Sequence, residues 1–166
     1  MSLINTIQRG NYELADQLIT DGYGLNETNS FGHTPLILLL WNLKNRKEKY
    51  KVWLELITKL IDAGADVNSK DIGGNTALIH ATYVTRSIYA VKMLIDAGAY
   101  VNIDGDTALI RAICVNHSIY TVKMLIDAGA DVNIKNNYGW SALIYAVKGN
   151  AYSLIDAVKM RIEADF

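Results

Sequence analysis

The sequence repeats itself at a nearly constant interval. The phrase LIDAGADVN at residues 60–68 recurs as LIDAGAYVN at 94–102 and as LIDAGADVN at 125–133, at intervals of 34 residues (94 − 60) and 31 residues (125 − 94). Such a period is typical of stacked units, because each unit buries its apolar side only against its neighbours. The 166 residues therefore predict one continuous folding unit and not two globular domains.

A second phrase keeps step with the first, always after a glycine. It reads HTPLI, NTALI, DTALI and WSALI, ending at Ile37, Ile79, Ile110 and Ile144. Its hydroxyl residue can accept a hydrogen bond from a free amide at a helix start; the four are Thr34, Thr76, Thr107 and Ser141. Apolar residues then recur at helical spacing in IYAVKMLIDAG, which ends at a glycine suited to a left-handed helix end. Each unit is predicted to be a turn followed by two helices.

These phrases resemble the ankyrin repeat, whose pattern runs G-x-T-P-L-H-x-A-A, then G-x-x-x-x-V-x-x-L-L, then a G-A-D-V-N link. The resemblance implies an all-α ankyrin-repeat solenoid of antiparallel helix pairs joined by β-hairpin-like fingers. It implies a single ankyrin repeat domain over residues 1–166. Its parts would be an N-terminal capping repeat at 1–29, internal repeats at 30–71, 72–103 and 104–136, and a C-terminal capping repeat at 137–166.

The chain departs from the family pattern in three places. Isoleucine replaces the usual histidine in all four matching units, so apolar packing is expected where the family has a hydrogen bond. About eight extra residues around WNLKNRKEKYK are expected to lengthen one helix pair or its loop. The link from Val101 to Thr107 spans six residues, against nine from Val67 to Thr76, which predicts one shortened finger. A last, more polar helix is expected over residues 151–163.

Composition argues against several classes of function. Sixteen basic and seventeen acidic side chains leave a net charge of -1, so there is no basic surplus to bind nucleic acid. No apolar stretch approaches the roughly 20 residues needed to cross a bilayer, and the start has no export-signal pattern. The single cysteine, Cys114, favours a reducing interior. A monomeric cytoplasmic protein with no membrane association is expected.

The resemblance implies that finger tips and first helices form a concave contact surface. The expected partner-binding residues are Phe31, His33, Trp41, Ile72, Asn75, Tyr83, Asp104, Asp106, Tyr138 and Trp140. Phe31 and Trp140 are the strongest candidates, because large aromatic residues are common hot spots in protein interfaces. The alternative is that the aromatic residues among them fill gaps between repeats.

Other chemistry finds little support in the sequence. His33, His80 and His117 lie in different repeats with no carboxylate or cysteine at ligand spacing, so no metal site is expected. Cys114 is expected to be a small buried thiol and not a nucleophile. With no phosphate loop or catalytic pair of carboxylates, no cofactor and no enzymatic activity are expected. Asn68, Asn102 and Asn133 are expected to tie each link to the preceding turn, and hydroxylation there is a minor alternative.

The sequence therefore predicts a module that binds an unidentified protein or peptide through its concave face. Two alternatives stay open. One is a regulatory inhibitor of a partner enzyme or toxin, and the other is an accessory ankyrin portion of a larger assembly.

Overall fold

Regular structure in the computed structural model is helical. It describes residues 2–45, 50–84, 88–103, 105–116, 118–149 and 155. The helices within these residues are α1 (Leu3–Gln8), α2 (Tyr12–Thr20), α3 (Pro35–Asn45), α4 (Tyr50–Asp62), α5 (Ala77–Thr82), α6 (Ile88–Asp96), α7 (Ala108–Arg111), α8 (Ile119–Asp127) and α9 (Ala142–Lys148). A π-helical turn, Ala112–Asn116, continues α7.

The helices pack in pairs that stack along the chain. In the four pairs whose helices are both described, the first helix contacts the second, as α1 contacts α2 and α3 contacts α4. The first helices α1, α3, α5, α7 and α9 also contact one another in series, and so do the second helices α2, α4, α6 and α8. This two-layer stack confirms the all-α solenoid that the repeat predicts.

Isoleucine fills the positions where the family pattern has histidine. Ile37, Ile79 and Ile110 are at most 2% exposed, which confirms apolar packing at three of the four positions. Burying each such side chain contributes about 1.5–3 kcal/mol. Ile144 in α9 is 37% exposed, so the fourth replacement adds less to the core.

The predicted helix caps form at two of the four positions. The hydroxyls of Thr34 and Thr107 accept from the amides of Ile37 and Ile110 at 3.3 and 3.2 Å. The expectation is wrong for Thr76 and Ser141, whose side chains make no cap hydrogen bond. Both residues take part in an antiparallel β-bridge at the base of a finger.

The extra residues of the second unit lengthen its helices. Helices α3 and α4 have 11 and 13 residues, against 6 and 9 in α5 and α6. Trp53 of α4 is 1% exposed and meets the ring of Tyr12 edge to face at 5.3 Å. The lengthened helix α4 therefore packs against α2 through Trp53. Residues 46–49, within the inserted run, lie outside the described residues.

Asparagines at the helix-to-finger links connect each unit to the next one. The side chain of Asn68 donates to the Gly98 carbonyl at 3.2 Å and accepts from the Tyr100 amide at 2.8 Å. Asn102 makes the same two bonds with Gly129 and Asp131. The expected direction was therefore wrong, because these side chains reach the following turn and not the preceding one. These side-chain hydrogen bonds link consecutive units at the same repeat position.

Two sequence predictions fall outside the described residues. The polar break at 85–87 is one of them. The last helix, predicted over 151–163, is the other, since only residue 155 of that range is described.

Candidate functional site

Three fingers have the same pattern of hydrogen bonds. In each one the side chain of an Asn or Asp accepts from two backbone amides of the finger. This Asn or Asp lies five residues before the Thr or Ser that precedes the first helix of the unit. The side-chain oxygen of Asp71 accepts from the amides of Gly73 and Asn75 at 2.8 and 2.9 Å. Asn29 does the same for Phe31 and His33. Asn136 does so for Tyr138 and Trp140. These bonds fix the backbone of each tip, so the side chains on the tips are presented on rigid supports.

We call the surface formed by these finger tips and the first helices the finger face. Large apolar side chains stand out from it. Phe31, Trp41, Ile72 and Tyr138 are 60, 44, 77 and 78% exposed. Phe31, Ile72 and Tyr138 are mostly exposed and therefore bury little surface between repeats, whereas Trp41 also contacts His80 of the next unit.

The other predicted contact residues are partly covered. His33, Asn75, Tyr83, Asp106 and Trp140 have intermediate exposure. For Tyr83 and Trp140 this favours a mixed role in packing and contact. Asp104 lies outside the described residues.

One end of the finger face is an aromatic group formed by Phe31, His33, Trp41, His80 and Tyr83. The ring of His33 lies 5.9 Å from those of Phe31 and Trp41. The ring of His80 lies 5.6 Å from His33, 5.9 Å from Trp41 and 6.4 Å from Tyr83. The group joins the first finger to α3 and α5, so it crosses the boundary between two stacked units.

Polar contacts extend this group across the next unit. The Arg111 guanidinium lies 5.5 Å from the centre of the Tyr83 ring, and its Nη2 is 2.6 Å from Oδ2 of Asp106. The other Asp106 oxygen accepts from Asn136 Nδ2 at 2.8 Å. The side chains therefore form one connected network from the second unit toward the last finger.

Trp140 and α9 complete the network. The side-chain Nδ2 of Asn136 also donates to the Tyr145 hydroxyl at 3.0 Å. The Tyr145 ring in turn meets the Trp140 ring edge to face at 5.1 Å. The ammonium of Lys148 lies 3.6 Å from the centre of the Trp140 ring, a cation–π contact. Both Tyr145 and Lys148 of α9 therefore contact the Trp140 ring.

The shortened finger leaves a notch between its neighbours. The notch has a volume of about 350 Å³. Its lining residues come from the finger before the short one, from the short finger and its helix, and from the finger after it: Lys70, Gly73, Gly74, Asn75, Gly105, Asp106, Arg111, Asn137 and Tyr138.

Asp71 brings two of the histidines together, contrary to the expectation that no carboxylate lies near them. Its Oδ2 is 2.7 Å from Nε2 of His80 and 3.8 Å from Nε2 of His33. His80 is buried, and its imidazole is paired with the Asp71 carboxylate. His117 lies outside the described residues.

Hydrogen bonds keep the Asp71 carboxyl ionised. Burial raises its pKa, but hydrogen bonds from His80, Asn75 and the finger backbone outweigh burial and leave the pKa below its ordinary value of 3.8. At neutral pH the finger face therefore contains a fixed, partly buried negative charge.

Cys114 has the properties of an inert thiol. It lies half-buried in the π-helical turn, and burial raises its pKa to about 11 although the charge of Arg111 opposes the shift. Because the thiolate is the reactive form, a raised pKa leaves the Cys114 thiol protonated and weakly nucleophilic at neutral pH.

Sequence reasoning missed several members of the network. Asp71, Arg111, Asn136 and Tyr145 were not among the candidates. Their signal lies in the repeat itself: the fourth residue after each Thr or Ser that precedes a first helix is Leu38, His80, Arg111 or Tyr145. A position that varies among large and charged residues within an otherwise regular repeat marks the face on which the units differ.

Among the described residues no helix combines the length and the apolar character that crossing a membrane requires.

Comparisons with known proteins agree with the fold. The family model for ankyrin repeats matches three times, over residues 3–104, 49–136 and 90–164. A solved ankyrin repeat domain from Acinetobacter baumannii superimposes with a TM-score of 0.82 at 25% identity, covering 96% of this chain and 80% of that one. A search of curated proteins gave no match. Because the family model spans almost the whole chain, the chain belongs to the ankyrin repeat family.

Proposed function

We propose that this protein binds a partner protein or peptide through the finger face, and that it is not an enzyme. Ankyrin repeats generally mediate protein–protein interaction. The observation that supports the proposal most is the set of exposed apolar side chains on hydrogen-bonded tips. Phe31, Ile72 and Tyr138 are each at least 60% exposed, and aromatic anchors of this kind are enriched in interface hot spots.

The rigidity of the tips favours binding. Ordering a loop or a side chain on association costs free energy. Here the backbone amides of Phe31 and Tyr138 are already held by Asn29 and Asn136 at 2.9 and 3.0 Å. A partner would therefore meet a surface whose tips need little further ordering.

The notch adds a basis for specificity. Lys70 on one side and Asn137 and Tyr138 on the other offer polar groups around a space of about 350 Å³. A protruding partner segment with hydrogen-bonding groups fits this space better than a flat apolar surface does. The proposal retains the five repeats with the bounds given above, a monomeric chain and an intracellular location.

Affinity capture from the native host, compared between matched variants, tests the proposal. In one variant Phe31→Ala and Tyr138→Ala remove exposed aromatics from the finger face. The control carries Tyr89→Ala and Tyr120→Ala, which remove tyrosines that are 67 and 71% exposed on the second helices. We expect the finger-face variant to lose about 1 kcal/mol or more of binding free energy per side chain, while the control retains binding.

Circular dichroism and melting curves of both variants check that the fold is kept. Equal loss of the partner in both variants, or loss in the control alone, would contradict the proposal. A captured enzyme whose turnover falls when this protein is added would identify the inhibitor alternative.

A further inference from the structure

A cluster of two imidazoles and one carboxylate lies on the finger face. It comprises His33 of the first finger, Asp71 of the next finger and His80 of α5. One ligand atom from each residue lies within 4.8 Å of the others. The three residues come from two stacked units, so the fold and not a local motif brings them together.

The carboxylate is oriented by the finger that carries it. Oδ1 of Asp71 accepts from the amides of Gly73 and Asn75, which leaves Oδ2 directed at the two histidines. Asn29 and Asn136 support the same turn in other fingers with an uncharged amide. The turn itself therefore needs no carboxylate, and the charge at this one finger calls for a separate explanation.

We propose that His33, Asp71 and His80 bind a divalent transition metal ion of the Zn²⁺ type, through Nε2 of each histidine and Oδ2 of Asp71. Two imidazoles and a carboxylate suit zinc and its neighbours, whereas Mg²⁺ and Ca²⁺ prefer all-oxygen sites. Three protein ligands leave a fourth position for water or for a group from a partner.

The distances suit this ion after a small adjustment. Zinc lies about 2.0–2.2 Å from nitrogen and oxygen ligands, so tetrahedral ligand atoms are roughly 3.3 Å apart. The observed separations from Oδ2, 2.7 Å to His80 and 3.8 Å to His33, lie on either side of that value. The side chains of Asp71 and His80 are 6 and 5% exposed, and that of His33 is 15% exposed. Metal binding therefore requires Oδ2 of Asp71 and Nε2 of His80 to separate by roughly 0.6 Å (3.3 − 2.7), and Nε2 of His33 to approach Oδ2 by roughly 0.5 Å (3.8 − 3.3).

The surroundings of the cluster also suit a metal ion. Rings of Phe31 and Trp41 flank His33, each at 5.9 Å. Such apolar walls orient the imidazoles and restrict solvent access, which strengthens binding at a metal site.

Calorimetric titration of the tag-free, metal-free protein with ZnCl₂ tests the proposal. We expect one Zn²⁺ per chain, a higher melting temperature in the presence of Zn²⁺, and no comparable binding of Mg²⁺. Co²⁺ should give the intense visible absorption of a four-coordinate site. His33→Gln and Asp71→Asn should each weaken Zn²⁺ binding by at least the roughly 10- to 100-fold effect seen for outer-shell changes.

The substitutions are chosen so that the fold persists. Asp71→Asn places at this finger the amide that Asn29 and Asn136 use, and His33 is the least buried ligand. The matched control is Asp66→Asn, because Asp66 also accepts a backbone amide, that of Asn68 at 2.8 Å, but is not part of the cluster. The control should bind Zn²⁺ as the unchanged protein does.

Absence of Zn²⁺ binding by the unchanged protein would overturn the proposal. So would unchanged affinity in folded His33→Gln or Asp71→Asn protein. Either result would assign the Asp71–His80 contact to a structural hydrogen bond.

Discussion

Residues at the same repeat position differ in what their side chains contact. Thr76 and Thr107 both precede a first helix and both are buried, at 1 and 2% exposure. Thr107 caps its helix, whereas the Thr76 hydroxyl has no hydrogen-bond partner among the described residues. A buried hydroxyl that lacks a partner lowers stability, and one that caps a helix raises it.

This difference predicts opposite outcomes for one substitution. Thr107→Val should lower the free energy of unfolding by about 1 kcal/mol, because the Ile110 amide loses its acceptor. Thr76→Val should leave it unchanged or raise it, because the removed hydroxyl makes no bond there. Urea unfolding midpoints at constant slope measure both. Equal losses in the two variants would contradict the assignment of the hydroxyls.

Neighbouring fingers contact each other directly through their backbones. The Ile72 amide donates to the Phe31 carbonyl at 3.1 Å, so the second finger is hydrogen-bonded to the first. Gly32 lies beside this bond with a φ of 74°, and a Cβ atom built there would be 2.9 Å from the Ile72 nitrogen. The contact between the fingers therefore requires glycine for its size as well as for its backbone angle.

A pair of alanine substitutions separates these two requirements. Gly74 also has a positive φ, 78°, but a Cβ there meets nothing within 4 Å. Gly74→Ala should cost only the left-handed strain of about 1–2 kcal/mol. Gly32→Ala should cost clearly more, since the first finger must also move off the second. Thermal melting of both variants measures the difference, and a smaller loss for Gly32→Ala would show that the fingers are not in close contact.

Local elements could be predicted from the sequence, but contacts between units could not. Helix ends at Gly64, Gly98 and Gly129 follow from left-handed backbone preference, and all three have φ between 82 and 89°. The meeting of His33 and His80 with Asp71 depends on how one unit is rotated against the next, which no single repeat encodes. For the same reason the direction of the Asn68 and Asn102 bonds was predicted wrongly.

Across the whole molecule, side chains at equivalent repeat positions differ from unit to unit on the finger face. Side-chain contacts run without a break from Phe31 through the histidines, Tyr83 and Arg111 to Asn136 and Trp140. Two of the second helices, α6 and α8, instead have nearly the same sequence, IYAVKMLIDAG and IYTVKMLIDAG with the turns that follow them. A surface on which equivalent positions differ can recognise one partner specifically, whereas a uniform one offers the same groups repeatedly.

Hydroxyl-radical footprinting of the protein, alone and in complex with a captured partner, tests this account most directly. The finger-face probes are Phe31, Trp41 and Tyr138, and the second-helix probes are Tyr89 and Tyr120, all exposed in the free chain. The account predicts that oxidation of the finger-face probes falls in the complex while that of the second-helix tyrosines is unchanged. Protection of Tyr89 and Tyr120, with the finger-face probes still fully oxidised, would contradict it.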